Sequence, residues 1–229
     1  GDREEEARVR AAIEEDSPAV SSGRAMREVD LLLAAGRRPQ AIAALDRAME
    51  SDPEIMVELR HVRRDLTGRD DLEPFRVNGA DVIRRYEESG VRHDDARQVL
   101  VFDYMVTRVY PDGSARHLVH QILKVQSEES VEELGQLSLG GQILTLHSIK
   151  PDGRRLEPEA IAGLDSIPMS ELAIGDYVEY EFVFGTSPRI DGGFRSAGWS
   201  FDSHDQPFAF SQMIALVPAD AQLVVEELG

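Results

Sequence analysis

The chain has 229 residues, 41% of them apolar, enough for one large domain or two small ones with an ordinary core. Its 43 acidic and 25 basic residues give a formal net charge of -18, which repels nucleic acid and anionic membrane surfaces and excludes nucleic-acid binding as a main role. It has no cysteine, so it supplies no disulfide, thiolate metal site or cysteine nucleophile, and no apolar run approaches the roughly 20 residues that span a bilayer.

The opening GDREEEARVR is charged from its second residue and carries no signal-peptide pattern. The native N-terminus is expected upstream of Gly1. Composition changes near residue 95, from Ala, Leu, Glu and Arg at helical spacing to short runs of Val, Ile, Phe, Tyr and Thr. The division expected is a helical segment over 1–95 and a β domain over 96–229. Residues 2–15 read as a charged helix, and SPAVSSG from Ser17 to Gly23 as a break.

Helices are then expected at about Arg24–Ala35, closed by Gly36, at about Pro39–Ser51, and from beyond Asp52-Pro53 to about Leu66. Small residues at Ala41 and Ala48 let neighbouring helices approach, with Leu45 between them. The spacing Gly36, Ala41, Leu45, Ala48, Pro53 resembles the tetratricopeptide repeat, although Ala25 and Val29 stand where that repeat usually has Trp and Gly. A single repeat cannot bury its own faces, so a docking role is expected rather than a peptide groove. Met26 and Leu33 are assigned to the core. Asn78 caps a further helix over about Gly79–Ser89, with Val82, Ile83 and Tyr86 as its apolar stripe. Val91–Gln98 is the hinge into the β part.

Two Pro-Asp-Gly turns punctuate the β part, at Pro111–Gly113 and Pro151–Gly153. Proline presets φ, aspartate bonds back to the backbone and glycine takes the positive φ, so each predicts a hairpin. Further strands are expected at Asp176–Phe184, Phe194–Phe201, Ala209–Leu216 and Gln222–Glu226. Strands at this spacing predict an antiparallel sandwich, hence an α+β chain overall. Gly185–Gly198 is taken as a long hairpin connection.

The order VLVFDYMVTRVYPDGSARHLVHQILKV, LHSIKPDGRRLEPE, SIPMSELAIGDYVEYEFVF, GWSFDSHDQPFAFSQMIALVP resembles a bacterial β-sandwich family of unknown function that precedes transglutaminase-like domains. The resemblance covers roughly residues 96–229. It implies large, exported proteins of the periplasm or cell envelope, with catalysis in a later domain carrying a Cys-His-Asp set. With no cysteine here, it implies a non-catalytic accessory module that positions or presents substrate to a downstream domain, with a protein or that domain as partner.

Candidate sites are few. His117 and His120, three apart in a strand, fall on opposite faces and cannot share a metal there; both are expected partly exposed. His147 is read as a sheet residue with its ring satisfied. The segment WSFDSHDQPF places Ser203, His204 and Asp205 side by side, but residues adjacent in a strand alternate faces and do not build a catalytic triad. No catalytic residue, cofactor or metal site is therefore expected. The alternative to an accessory module is a stand-alone protein- or glycan-binding module using the 185–208 region. Its candidate binding residues are Arg195, Trp199, Asp202, His204 and Asp205, because long loops on a rigid sheet carry recognition.

Overall fold

The computed structural model describes residues 18–51, 56–68, 70–158, 166–189, 193–196, 198–201, 203 and 206–226. The chain forms two compact units. The first comprises Gly1–Glu73 with Pro111–Ser114 and Ser187–Gly193; the second comprises Pro74–Tyr110, Ala115–Thr186 and Phe194–Gly229.

The first unit holds α1 (Pro18–Ala34), α2 (Arg38–Ser51) and α3 (Met56–Thr67). Helix α1 runs through the expected break at 17–23, because Ser21, Ser22 and Gly23 are tolerated inside a helix whose later turns are held by packing. It ends at Gly36, which takes φ 71°. Ala41 and Leu45 of α2 are fully buried, with Val29 and Leu59 against them, and Met26, Leu33 and Ala48 pack around this core. Arg38 reaches from the first turn of α2 to the Leu66 carbonyl at the end of α3, at 3.0 and 2.6 Å. Within the same unit Arg60 donates to Ser114 Oγ at 2.7 Å and lies 3.4 Å from the buried Asp112 carboxylate. The expected helix at 2–15 lies outside the described residues.

The second unit opens with α4 (Gly79–Ser89). Asn78 caps it by accepting from the Ala80 N–H at 3.0 Å, and Gly90 closes it at φ 68°. Gly79, Val82 and Tyr86 form its buried stripe. The strands are β1 (Gln98–Val109), β2 (Ala115–Val125), β3 (Gln136–Leu137), β4 (Gln142–Ile149), β5 (Arg155–Leu156), β6 (Ile167–Pro168), β7 (Tyr177–Thr186) and β8 (Phe208–Leu216), with α5 (Glu128–Leu134) after β2.

The chain is α+β. One six-stranded sheet runs in the order β5-β4-β7-β2-β1-β8, and β3 pairs with β6 in a separate two-stranded ladder. Both Pro-Asp-Gly turns are hairpins. Ser114 N bonds Asp112 Oδ1 at 3.1 Å, Arg154 N bonds Asp152 Oδ1 at 3.0 Å, and Gly113 and Gly153 take φ 82° and 86°.

The sheet departs from the expected antiparallel sandwich in three respects. β8 pairs with β1 in parallel, with β2 and β1 between it and β7, so β7 and β8 are not joined as a hairpin. The described parts of 194–201 and of 222–226 form no strand, having no partner on any sheet edge. The second layer is mainly α5 with the β3–β6 ladder. Leu134, Leu137, Met169 and Ile167 from that layer pack on Leu100, Leu123, Leu146 and Val178 of the sheet. Helix α5 is capped by Ser127, which accepts from Ser130 N at 3.1 Å, and carries Glu128 and Glu129 in its first turn.

Gly153 has open space where a Cβ would stand, so its requirement is purely one of backbone conformation. Gly153→Ala should cost about 1 kcal/mol in chemical denaturation, and Gly153→Asn distinctly less. Equal costs for the two variants would place the requirement elsewhere.

Candidate functional site

Strand register sets which side chains share each face of the sheet. On the α4 face stand Tyr104 (β1), His120 (β2), Glu179 and Glu181 (β7), and Thr145 and His147 (β4). Glu179 accepts from His120 Nε2 at 3.0 Å on one oxygen and from His147 Nε2 at 2.7 Å on the other. An ionised carboxylate only accepts, so both rings carry a proton at Nε2. Burial pushes the Glu179 carboxyl up; the two histidine hydrogen bonds and their charge outweigh it and bring it down to about 2.

Gly79, the first residue of α4, sits directly on this carboxylate. A Cβ there would lie 2.0 Å from Glu179 Oε1. The positive end of the helix therefore meets a buried negative charge. Beside it, Arg76 donates to Glu181 Oε2 through Nε at 2.9 Å and Nη2 at 2.5 Å, and Tyr104 donates to the Phe75 carbonyl at 2.9 Å. His120 Nδ1 and Glu181 Oε1 are buried without a hydrogen-bond partner. At the far end of α4, Glu87 takes bonds from Lys124 at 2.7 Å and from the Tyr177 hydroxyl. Lys124 first, then Tyr177, holds the Glu87 carboxyl below its usual range. This face is thus a polar network under a helix, in which His120, His147, Glu179 and Glu181 are buried. Among the described residues no group of His, Cys, Asp or Glu is arranged to hold a metal ion.

The opposite face differs. One row across it is polar: the Tyr180 hydroxyl donates to Gln121, whose Nε2 donates to Asp103 Oδ1 at 2.6 Å, and Ser211 also bonds Asp103. The Trp199 indole N–H donates to Ser211 Oγ at 3.1 Å and ends the row. Burial raises the Asp103 carboxyl above its ordinary value despite the Gln121 and Ser211 bonds, and burial pushes the Tyr180 phenol up to about 12.

The next row is apolar and crosses five strands: Ile143 (β4), Phe182 (β7), Val119 (β2), Met105 (β1) and Met213 (β8). None of these is fully buried. Beyond it His117 bonds Thr107 at 2.9 Å and Thr186 at 3.1 Å and stacks on Phe184 at 4.5 Å, with Phe194 at 6.3 Å. Burial lowers the His117 pKa.

Of the residues expected to bind, Arg195 is exposed and Trp199 is half-buried and fixed to β8. Asp202, His204 and Asp205 lie outside the described residues. His117 and His120 fall on opposite faces, as their spacing requires. Both are buried rather than partly exposed, because the sheet is covered at both positions. His147 has its Nε2 satisfied by Glu179. Arg76, Glu179 and Glu181 were not anticipated. Their signal is two glutamates at alternate positions in the apolar run YVEYEFVF, which places both on one face.

No family model matches the chain, and no curated protein matches it significantly. Among solved structures it is similar to the crystal structure of a "putative protease" from Parabacteroides distasonis. That similarity has 11% identity and a TM-score of 0.33, and spans 41% of this chain and 24% of that one.

Two substitutions test the buried network. Glu179→Gln should destabilise the folded chain by about 3 kcal/mol at neutral pH, by leaving buried groups mispaired. The folded carboxyl lies below its ordinary 4.5, so its contribution is complete above pH 4.5 and fades as pH falls toward about 2. The gap between wild type and variant should therefore narrow across that window. A gap unchanged from pH 7 to pH 3 would mean that Glu179 is not held ionised. Gly79→Ala should be destabilising although alanine favours helix, because its methyl meets the carboxylate.

Proposed function

We propose that the chain is a non-catalytic interaction module, the front part of a larger bacterial protein of the transglutaminase-associated kind. Its role is to position or present substrate to a downstream domain. The observation that carries this reading is the half-buried apolar row Ile143–Phe182–Val119–Met105–Met213 beside the fixed Trp199. Groups suited to acid–base chemistry on the other face are spent on one another under α4, whereas the accessible side offers apolar area with a polar row at its border. Such a surface suits a protein partner with a matching apolar patch. Protein recognition is favoured over glycan recognition because the rings on this face stack on one another, Phe182 on Phe184 at 5.9 Å, and Trp199 is the sole tryptophan.

Trp199 is therefore a single-site reporter. Titrating the chain with the separately produced downstream part of its parent polypeptide should shift the Trp199 emission to the blue, saturably. Phe182→Asp should weaken that binding at least tenfold while leaving the circular dichroism of the chain unchanged. An unchanged emission together with no binding by calorimetry sinks the reading, as does a parent reading frame that closes shortly after Gly229.

A further inference from the structure

The sheet ends on one side at β8, a nine-residue strand, FAFSQMIAL, with no charged residue and no proline. Among the described residues it pairs with β1 alone, so its outer N–H and C=O groups form a free edge. Edges of this length are ordinarily blunted by charge, proline or a bulge. Just beyond it, Gln222–Glu226 is a β-branched run outside any sheet. Its Leu223, Val224 and Val225 are 59%, 81% and 72% exposed. The chain thus carries a strand without a sheet next to a sheet edge without a further strand.

We propose that these two features meet between chains: residues 222–226 of one copy add to the β8 edge of a second copy, and the exchange is reciprocal. The connection Val217–Ala221 contains Pro218 and a tight turn in which Ala221 N bonds the Pro218 carbonyl at 3.0 Å. A connection that short and stiff leaves 222–226 off its own β8, and such hinges favour exchange between chains. Two equivalent pairings related by a two-fold axis then satisfy both edges and cover both apolar runs. Of the contacting segments, Phe208–Leu216 carries no charge and 222–226 carries only Glu226 at its end, so the net charge of -18 opposes association mainly at long range. Salt should therefore strengthen the dimer instead of weakening it.

The chain is free of cysteine, which makes the test clean. Counting outward from Val217–Ala221 puts Leu223 opposite Ala215. Light scattering should give twice the monomer mass at high concentration, with the dimer fraction rising between low and high salt. Mixing a chain carrying Ala215→Cys with a chain carrying Leu223→Cys should give a disulfide-linked heterodimer under mild oxidation, in preference to either homodimer. Val224→Lys should leave a folded monomer. A chain that stays monomeric at every concentration and salt overturns the proposal. A double variant, Ala215→Cys with Leu223→Cys, that closes its disulfide within one chain also overturns it, in favour of an ordinary hairpin.

Discussion

The second unit is organised around one carboxylate. Glu179 lies in the middle of β7, buried, and needs compensation from every direction. It obtains a proton donor from β2 through His120, another from β4 through His147, and the first turn of α4 through Gly79. Three elements remote in sequence are thereby fixed to one point. Apolar packing alone would let α4 slide or rotate over the sheet at little cost. A shared charge does not, since every displacement leaves a buried donor or acceptor unmet. The adjacent Arg76–Glu181 pair holds the chain entering the helix, and Glu87 with Lys124 and Tyr177 holds its far end.

The two sheet faces divide the work accordingly. The α4 face spends its polar groups internally. The other face packs against α5 and the small ladder at one end, and beyond the Tyr180–Gln121–Asp103–Ser211–Trp199 chain it carries the apolar row from Ile143 to Met213. The polar row keeps Trp199 at a defined place although its backbone lies in irregular structure. A rigid platform with one anchored aromatic at its margin has little conformational entropy left to lose.

What could be read from sequence follows the range of the forces involved. The Pro-Asp-Gly turns and the Asn78 cap are set by neighbours a few residues away, and each stands where it was expected. The opposite orientation of His117 and His120 follows from strand periodicity alone. Burial of both did not, since it depends on which elements cover the sheet. Helix α5 had a local signal in Ser127 with the following glutamates, outweighed by the strand-rich surroundings. The alternation of Glu179 and Glu181 in an apolar strand announced a buried charge, but its partners come from β2, β4 and the approach to α4. The parallel placement of β8 had no local signal, because Phe208–Leu216 would pair equally well in either direction.

That parallel pair bears on how the molecule assembles. β1 and β2 are joined by a tight turn and zip together with little loss of chain freedom, and β7 can add to β2 next. Leu100 and Phe208, partners at the start of the β1–β8 ladder, are brought together only after nearly the whole unit has been threaded between them. Closing so large a loop is slow, and the β1 edge waits exposed until it is done. β8 is then the last strand to arrive and the first that a mild perturbation would release. During synthesis, the unit would stay unfinished until residue 216 had cleared the ribosome.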